Sequence, residues 1–421
     1  MINQKKNKVK ILMGFSGTLD SVVGSYLLKK QGYEVHNVGI CFYAEEFEKR
    51  RQLRDENGDP IPFSPFHGVF QIKDIEKVKS LSDSLGIPFY AVQASADYQH
   101  YITDRIVAAR IGGRSFSPKI HASRLIFEIL LKKANLLGMD FISTGHYAKI
   151  AHNKTLKSTQ LFVSNDLEYD QSYLLSSLDP ITLDRLYLPL SDMRKQEVKK
   201  IADSLNLEFI DEKEDQVPLM ERKSLAKFVE ERASKKMFRE GNLIDYKSEM
   251  ALGDHDGIHH YALGCKDVTT KSGTPIDKDY QVIGFHYAAG VVYLGYLEDL
   301  KYDAVILYNV KYSKGTDLSQ SSEVYIQISE NGEKIAATLH PLNNRYCELK
   351  LKEARKGLLK QGDYIAFYNR SSKMGRVVGA GEVRTCGYID GSKLITFPKK
   401  RDELNEDETK KQVDIYALLF C

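Results

Sequence analysis

Cysteine is scarce in this sequence, and its spacing excludes the sites that cysteines usually build. The chain has 421 residues and only five cysteines, at positions Cys41, Cys265, Cys347, Cys386 and Cys421. Their number is odd, they lie far apart, and no CxxC pair occurs. We therefore expect neither a disulfide framework nor a cysteine metal site, and this usage is typical of a reducing cytosol.

Long apolar runs and a strong net charge are missing as well. No stretch approaches the ~18 apolar residues of a membrane span, and the apolar run after the basic residues 1–10 is too short for a signal peptide. The net charge of +3 does not by itself indicate nucleic acid, although 60 Lys and Arg residues leave room for a basic face. These absences predict a cytoplasmic protein without a membrane partner.

The composition is that of an ordinary globular protein. Hydrophobic residues make up 42% and charged residues 28% of the chain, which is enough to bury a core. At about 100–200 residues per domain, the length suggests two to four domains. We find no internal repeat and no long low-complexity segment.

A short loop of small and polar residues follows the first apolar run. This loop comprises Gly14, Phe15, Ser16, Gly17, Thr18, Leu19, Asp20 and Ser21. The order predicted around it is strand, tight loop, helix. Unpaired N–H groups and the positive end of the helix dipole favour an anion there, and Asp20 or Ser21 is suited to cap the helix. The loop therefore indicates a site for a nucleotide phosphate, with an ordinary βα turn as the alternative.

Strands and helices alternate over the first half of the chain. Strands are predicted over 9–13, 35–42, 88–92 and 141–143, with helices over 22–27, 72–86, 98–109 and 122–137 between and after them. This alternation is the signature of an α/β fold with a parallel sheet, whose ligands bind at the carboxyl ends of the strands. The loop at 14–21, Phe42 and the segment Gly145 to Tyr147 all follow strands, so they are candidates to line one pocket.

The pattern changes in the second half. Residues 241–267 read as loops, and from about Tyr280 many short strands separated by turns predict a small β-barrel or sandwich.

Seven motifs, taken in order, resemble those of the tRNA-specific 2-thiouridylases, a family of PP-loop ATP pyrophosphatases. They are residues 16–21 (SGTLDS), 144–149 (TGHYAK), 170–175 (DQSYLL), 189–192 (PLSD), 255–264 (HDGIHHYALG), 361–368 (QGDYIAFY) and 378–381 (VGAG). The first four are similar to the family patterns SGGxDS, TGHYAR, DQSYFL and PLGD. Each motif is weak alone, but seven at compatible spacing over nearly the whole chain are specific.

The resemblance implies an architecture and a chemistry. The architecture is a parallel-sheet PP-loop (adenine nucleotide alpha hydrolase-like) domain over 1–205, a small central domain over 206–279, and a C-terminal β-barrel domain with a charged extension over 280–421. The chemistry is that of a tRNA-modifying transferase that uses ATP and Mg²⁺ to adenylate a wobble uridine. Residues 14–21, Phe42 and Gly145 would bind the nucleotide, and Tyr169, Asp170 and Gln171 would contact tRNA.

The sequence departs from the family at the residues that carry its sulfur chemistry. The first family cysteine falls at His121, its preceding Asp falls at Pro118, and the second cysteine falls at Leu219. Neither His nor Leu can carry a persulfide. The transferred group would then be sulfur or an amine from a donor protein or small molecule. The alternative is a catalytically degenerate tRNA-binding paralogue or accessory subunit.

Three further features, which involve five residues, carry expectations of their own. His121 is a candidate general base at the lost nucleophile position, with a surface loop histidine as the alternative. Thr18 stands at a family glycine, and a β-branched residue would be strained there if the position needs a positive φ. The histidines His255, His259 and His260 suggest a metal by residue type, but we expect a structural or RNA-facing loop and no metal site.

Overall fold

A computed structural model describes residues 8–42, 75–210, 222–357, 359–372, 374–390 and 393–396. Two residues discussed above, Leu219 at the second family cysteine position and Cys421, lie outside these residues. Within them no helix is both long enough and apolar enough to cross a membrane.

The N-terminal half is built on a five-stranded parallel sheet in the order β3-β2-β1-β4-β7. Its strands are β1 (Lys10–Gly14), β2 (Glu34–Cys41), β3 (Phe89–Gln93), β4 (Phe141–Ser143) and β7 (Leu186–Tyr187). β1 occupies the centre because it is apolar on both faces, and Ile11, Leu12 and Met13 are fully buried. The α/β class with a parallel sheet is confirmed.

Helices lie between and after these strands. They are α1 (Leu19–Lys30), α2 (Ile75–Ser84), α3 (Ser95–Tyr98), α4 (Asp104–Ile111), α5 (Pro118–Leu137), α6 (Ser172–Leu175), α7 (Pro180–Asp184), α8 (Lys195–Leu205) and α9 (Arg222–Arg232). The long helix α5 starts with Pro118, whose fixed φ suits the first turn, and ends at Gly138 in the left-handed conformation. One continuous helix was expected over 98–109, but a π-helical turn over Gln99–Thr103 separates α3 from α4.

Two elements were not expected from the sequence. A hairpin pairs β5 (Lys149–Asn153) with β6 (Ser158–Phe162). A four-stranded sheet has the order β10-β11-β8-β9 and contains β8 (Gly241–Asp245), β9 (Ala251–His255), β10 (Gln281–His286) and β11 (Val291–Gly295). Barrel or sandwich strands were expected from about Tyr280, but β10 and β11 belong to this second sheet, because β10 pairs with β11 and β11 pairs with β8.

The C-terminal strands close into a six-stranded antiparallel barrel, as expected for a small β-barrel. The strands are β12 (Lys301–Tyr312), β13 (Ser322–Gln327), β14 (Ile335–Pro341), β15 (Cys347–Lys356), β16 (Tyr364–Tyr368) and β17 (Val377–Asp390), and β18 (Lys393–Thr396) adds to β17. Pairing of β12 with both β15 and β17 closes the barrel. Closure removes the open edges that would otherwise invite aggregation.

The barrel packs against the α/β half through a shared core. Tyr364, Ala366 and Tyr368 of β16 join the same buried cluster as Tyr173 of α6. The Tyr173 hydroxyl lies 2.9 Å from the carbonyl oxygens of both Tyr364 and Ile328. This packing brings the turn after β13 towards the carboxyl edge of the parallel sheet.

Candidate functional site

A cavity of about 720 Å³ opens at the carboxyl ends of the parallel strands. This volume is within the usual range for small-molecule sites, roughly 300–1,000 Å³. Its wall contains residues from the loop at 14–21, from the ends of β2 and β4, from α5, and from the barrel turn at Glu330 and Asn331. The segments that the sequence placed after neighbouring strands therefore meet around one space.

The loop after β1 turns at Gly17. This residue has φ +81°, a value that favours glycine, and an added Cβ would lie 2.9 Å from a methyl carbon of Ile210. Ile210 also holds the loop by donating its N–H to the Gly17 carbonyl at 3.0 Å. Thr18 has φ −71° and ψ 159°. The positive φ therefore falls on Gly17, and Thr18 is not strained.

Three hydroxyl groups of the loop bond to one another. Ser16 Oγ lies 2.9 Å from Thr18 Oγ1 and 3.2 Å from Ser21 Oγ. Ser21 Oγ donates to the Thr18 carbonyl at 3.0 Å. Thr18 precedes the helix, yet its side chain makes no capping bond to α1. The Thr18 side chain thus leaves the first-turn N–H groups of α1 without a capping bond, and Ser16, Thr18 and Ser21 line the cavity, which suits an anion.

Asp20 does not cap the helix but joins a charged cluster. Its Oδ1 accepts the Tyr147 hydroxyl at 2.7 Å, and its Oδ2 lies 2.5 Å from Lys195 Nζ of α8. The Asp20 and Lys195 side chains are each only 14% exposed. Lys195 Nζ also lies 5.4 Å from the ring centre of Tyr147 and 5.7 Å from that of Tyr169. A positive group is thus held beside the loop in a largely desolvated setting.

Gly145 lies directly against the start of α1. A Cβ on this residue would lie 2.9 Å from the Asp20 carbonyl carbon and 3.0 Å from the Ser21 nitrogen. Backbone atoms cannot move aside as a flexible side chain can. The two sequence motifs therefore form one packed unit, and glycine is required at their contact.

The opposite wall is largely apolar. Val38, Ile40 and Phe42 line the cavity from β2 and its end, because alternate residues of a strand share a face. Cys41 points the other way and packs with Phe15 and other core residues. Burial raises the pKa of the Cys41 thiol, so this group is a core residue rather than a poised sulfur carrier.

His146 completes the polar side of the cavity. Its Nδ1 lies 2.9 Å from Thr144 Oγ1, and burial lowers the pKa of His146 to about 4. The imidazole is therefore neutral near pH 7 and suits hydrogen bonding rather than charge pairing.

Of the three residues expected to contact RNA, Tyr169 is the most accessible. It is 36% exposed at the cavity wall, whereas Asp170 is 7% exposed. The Asp170 carboxylate accepts the Ser164 N–H at 2.8 Å and the Ser172 hydroxyl at 2.7 Å, and burial raises its pKa. Gln171 exchanges hydrogen bonds with the Tyr147 backbone at 2.8 and 3.0 Å. Asp170 and Gln171 thus hold the loop that carries Tyr169.

The surroundings of His121 disfavour the role of general base that the sequence suggested for it. It lies in the first turn of α5 and stacks on Phe116, with ring centres 4.3 Å apart, while its neighbours Lys119 and Ala122 line the cavity. Burial, with Arg124, Arg105 and Lys311 nearby, lowers the pKa of His121 to about 3. So weak a base is poorly matched to proton removal near neutral pH. Helical geometry turns the side chain towards Phe116, and a catalytic role for His121 stays a prediction.

We expect His121→Asn to preserve activity at neutral pH and to flatten the acid limb of the stability curve. The unfolded imidazole binds a proton near pH 6.5, whereas the folded one stays neutral down to about pH 3. The free energy of unfolding of the parent protein should therefore fall as pH decreases through this window, and this component should be missing in the variant. Urea unfolding between pH 4.5 and 7.5 measures both slopes. If the variant is as stable as the parent protein but inactive, the result would instead support a catalytic role for His121.

Several residues of the cavity wall were not predicted from the sequence. Lys195 follows the PLSD motif closely enough to have been considered, but nothing in the sequence pairs it with Asp20. Glu330 and Asn331 come from a turn of the barrel, and Glu330 Oε2 lies 2.8 Å from Lys119 Nζ. Gly17 and Leu19, which were expected to bind the nucleotide, are not among the residues that line the cavity, and Leu19 packs in the core between α1 and α8.

The sheet, the loop and the cavity at its edge define an α/β protein of the PP-loop class. Residues 9–218 match the family model described as tRNA methyl transferase HUP domain. The chain is 29% identical over 383 residues to the tRNA-specific 2-thiouridylase MnmA of Clostridium beijerinckii, covering 90% of this chain and 99% of that protein. It is 27% identical over 368 residues to the MnmA of Carboxydothermus hydrogenoformans, covering 87% and 96%. The chain belongs to the tRNA-specific 2-thiouridylase family.

Proposed function

We propose that the protein is an ATP-dependent tRNA-modifying enzyme that activates a wobble-position uridine by adenylation. The observation that carries this proposal is the cavity lined by the loop after β1, the start of α1 and the largely buried Lys195. The names of the relatives, which specify tRNA 2-thiolation, supply the substrate class.

The two walls of the cavity suit the two ends of ATP. The apolar surface of Val38, Ile40 and Phe42 offers contact for an adenine ring. The loop N–H groups and Lys195 offer positive potential for the phosphates. Lys195 would then exchange part of its contact with Asp20 for a phosphate oxygen.

The reaction needs a good leaving group at the pyrimidine. The uridine O2 would attack the α-phosphorus of ATP, forming an O–P bond while the bond to the departing pyrophosphate breaks. The incoming nucleophile would then add at C2 and AMP would leave. Loop N–H groups act on the developing charge of pyrophosphate, which is electrostatic stabilisation rather than proton transfer.

Asp20 is the residue that would hold Mg²⁺. Magnesium sites at nucleotides use one or two carboxylates together with phosphate oxygens, and Asp20 is the carboxylate of the loop itself. Its two oxygens bond to Tyr147 and Lys195, so Mg²⁺ binding would require Lys195 to move towards the phosphates. The ion would supply further charge neutralisation of the polyphosphate.

The sulfur or amine donor is proposed to be a separate molecule. Among the described residues, the cavity wall holds no cysteine, and Cys41 faces away from it. A donor would approach the open mouth of the cavity, beside the Lys119–Glu330 ion pair. The alternative function, a tRNA-binding protein without turnover, predicts no nucleotide chemistry.

The test combines labelled ATP, bulk tRNA and a simple donor. We expect release of AMP and pyrophosphate that depends on tRNA, and an altered uridine in the nucleosides of the recovered tRNA. Sulfide and ammonium serve as the two donor probes, and mass spectrometry separates a thiolated from an aminated product. Binding of tRNA without tRNA-dependent release of AMP under either condition would favour the binding protein.

A further inference from the structure

Two adjacent histidines and a glutamate come together beside α4, outside the wall of the nucleotide cavity. His259 and His260 lie on the short 3-10 turn Ile258–His260, and Glu230 lies on α9. One potential ligand atom from each residue lies within 4.8 Å of the other two. The histidines alone suggested a metal by residue type. Glu230 could not be paired with them from the sequence, because it precedes them by about 30 residues.

The distances resemble those between ligands of one small cation. Glu230 Oε1 lies 3.1 Å from His259 Nε2 and 3.4 Å from His260 Nε2. Ligand atoms about 2.0–2.1 Å from a tetrahedral zinc ion are separated from one another by roughly 3.3–3.4 Å. Both Glu230 distances are close to this separation, and all three ligand atoms lie within 4.8 Å of one another, so small side-chain shifts would bring them to one ion.

The three side chains also combine rigidity with access. His259 is 2% exposed, and its ring stacks on Phe238 with centres 4.0 Å apart. The side chains of His260 and Glu230 are 35% and 41% exposed, so the site is open on one side. An open side leaves room for a water molecule as fourth ligand. Two imidazoles and one carboxylate are also a donor set that zinc uses.

We propose that Glu230, His259 and His260 bind one divalent transition-metal ion of the zinc class. The ion would fasten α9 to the turn at 258–260. This turn is already joined to α4, because Arg110 Nε donates to the His259 carbonyl at 2.9 Å. The site would therefore stabilise the junction between α4, α9 and the four-stranded sheet, and it is independent of the function proposed above.

The expected affinity for the metal ion depends on the groups that hydrogen-bond to the ligand side chains. The Nδ1 atom of His259 is buried and has no hydrogen-bond partner. Zinc ligands usually donate this N–H to an acceptor, and losing such a bond weakens metal binding by roughly 10–100-fold. We therefore expect binding that is saturable but weaker than at zinc sites with a complete second layer.

The experiment uses the full chain without a histidine tag, freed of metal by dialysis against a chelator. Titration with Co²⁺ should give visible d–d bands of a tetrahedral site at one equivalent, without a thiolate charge-transfer band, and Zn²⁺ should displace the Co²⁺. Zn²⁺ should also raise the melting temperature, whereas Mg²⁺ should not.

Two variants test the ligands, and one matched variant serves as the control. His260→Asn and Glu230→Gln should abolish the Co²⁺ bands while keeping the metal-free melting temperature, because both side chains are partly exposed. His152→Asn changes an exposed histidine on β5 and should bind as the parent does. Absence of saturable binding in the parent, unchanged binding in His260→Asn, or a thiolate band would overturn the proposal.

Discussion

Replacing Lys195 by methionine is expected to abolish ATP-dependent chemistry while leaving a folded protein. Methionine keeps an apolar stem of similar length and removes the ammonium group that lies 2.5 Å from Asp20 Oδ2. The Asp20 carboxylate would then repel the incoming phosphates, and the cavity would lose its most buried cation. A desolvated charge contact of this kind is worth about 3 kcal/mol, which corresponds to roughly 100-fold weaker ATP binding.

The control for this variant is on the same helix. Lys199→Met changes an exposed lysine one turn along α8 and should leave ATP affinity unchanged. Equilibrium binding of labelled ATP and tRNA-dependent release of pyrophosphate are the two measurements.

A double variant separates folding from binding. Asp20→Asn in the Lys195→Met background removes the unpaired carboxylate, so it should recover any stability lost by the single change. It should not recover turnover, since the ammonium is still absent. If Lys195→Met binds ATP as tightly as the parent protein, Lys195 does not contact the phosphates.

Gly145→Ala is expected to have the second large effect. The added methyl carbon would lie 2.9 Å from the Asp20 carbonyl carbon, a distance that forces the start of α1 to move. Overpacking of this kind costs typically about 1–3 kcal/mol. Because α1 carries the loop N–H groups, we expect ATP affinity to fall by about tenfold or more, the equivalent of ~1.4 kcal/mol or above.

Gly112→Ala is the matched control for steric crowding at a glycine. Its added methyl would meet the end of the flexible Arg114 side chain at 3.1 Å, and the residue has an ordinary φ of −81°. This variant should bind ATP as the parent does. If Gly145→Ala unfolds at the parent temperature and binds ATP normally, then the contact between the two motifs does not position the loop.

Local patterns were sufficient for most elements of the fold. The strand over 141–143 has the bounds that the sequence predicted, because a short apolar run between turn residues leaves few alternatives. The α/β class followed from the alternation of elements, since parallel strands need helical crossovers. The seven motifs indicated the family before any contact was known.

Contacts between segments that are distant in the sequence could not be predicted from local patterns. The barrel closes through pairing of residues 304–312 with residues 379–387, and no local signal specifies that partner. For the same reason β10 and β11 were expected in the barrel, although they belong to the four-stranded sheet with β8 and β9. A strand's pattern reports which face is buried, but not which neighbour supplies the hydrogen bonds.

The sequence by itself determined the phosphate-type loop, its place after β1 and the loss of a thiol at position 121. The tertiary structure decided that the positive φ falls on Gly17, that His121 turns towards Phe116, and that Lys195 and Glu330 reach the cavity. The physical reason is the distance along the chain over which each kind of interaction acts. Backbone preferences act over a few residues, whereas charge pairs, close glycine contacts and metal ligands depend on which distant segments the core brings together.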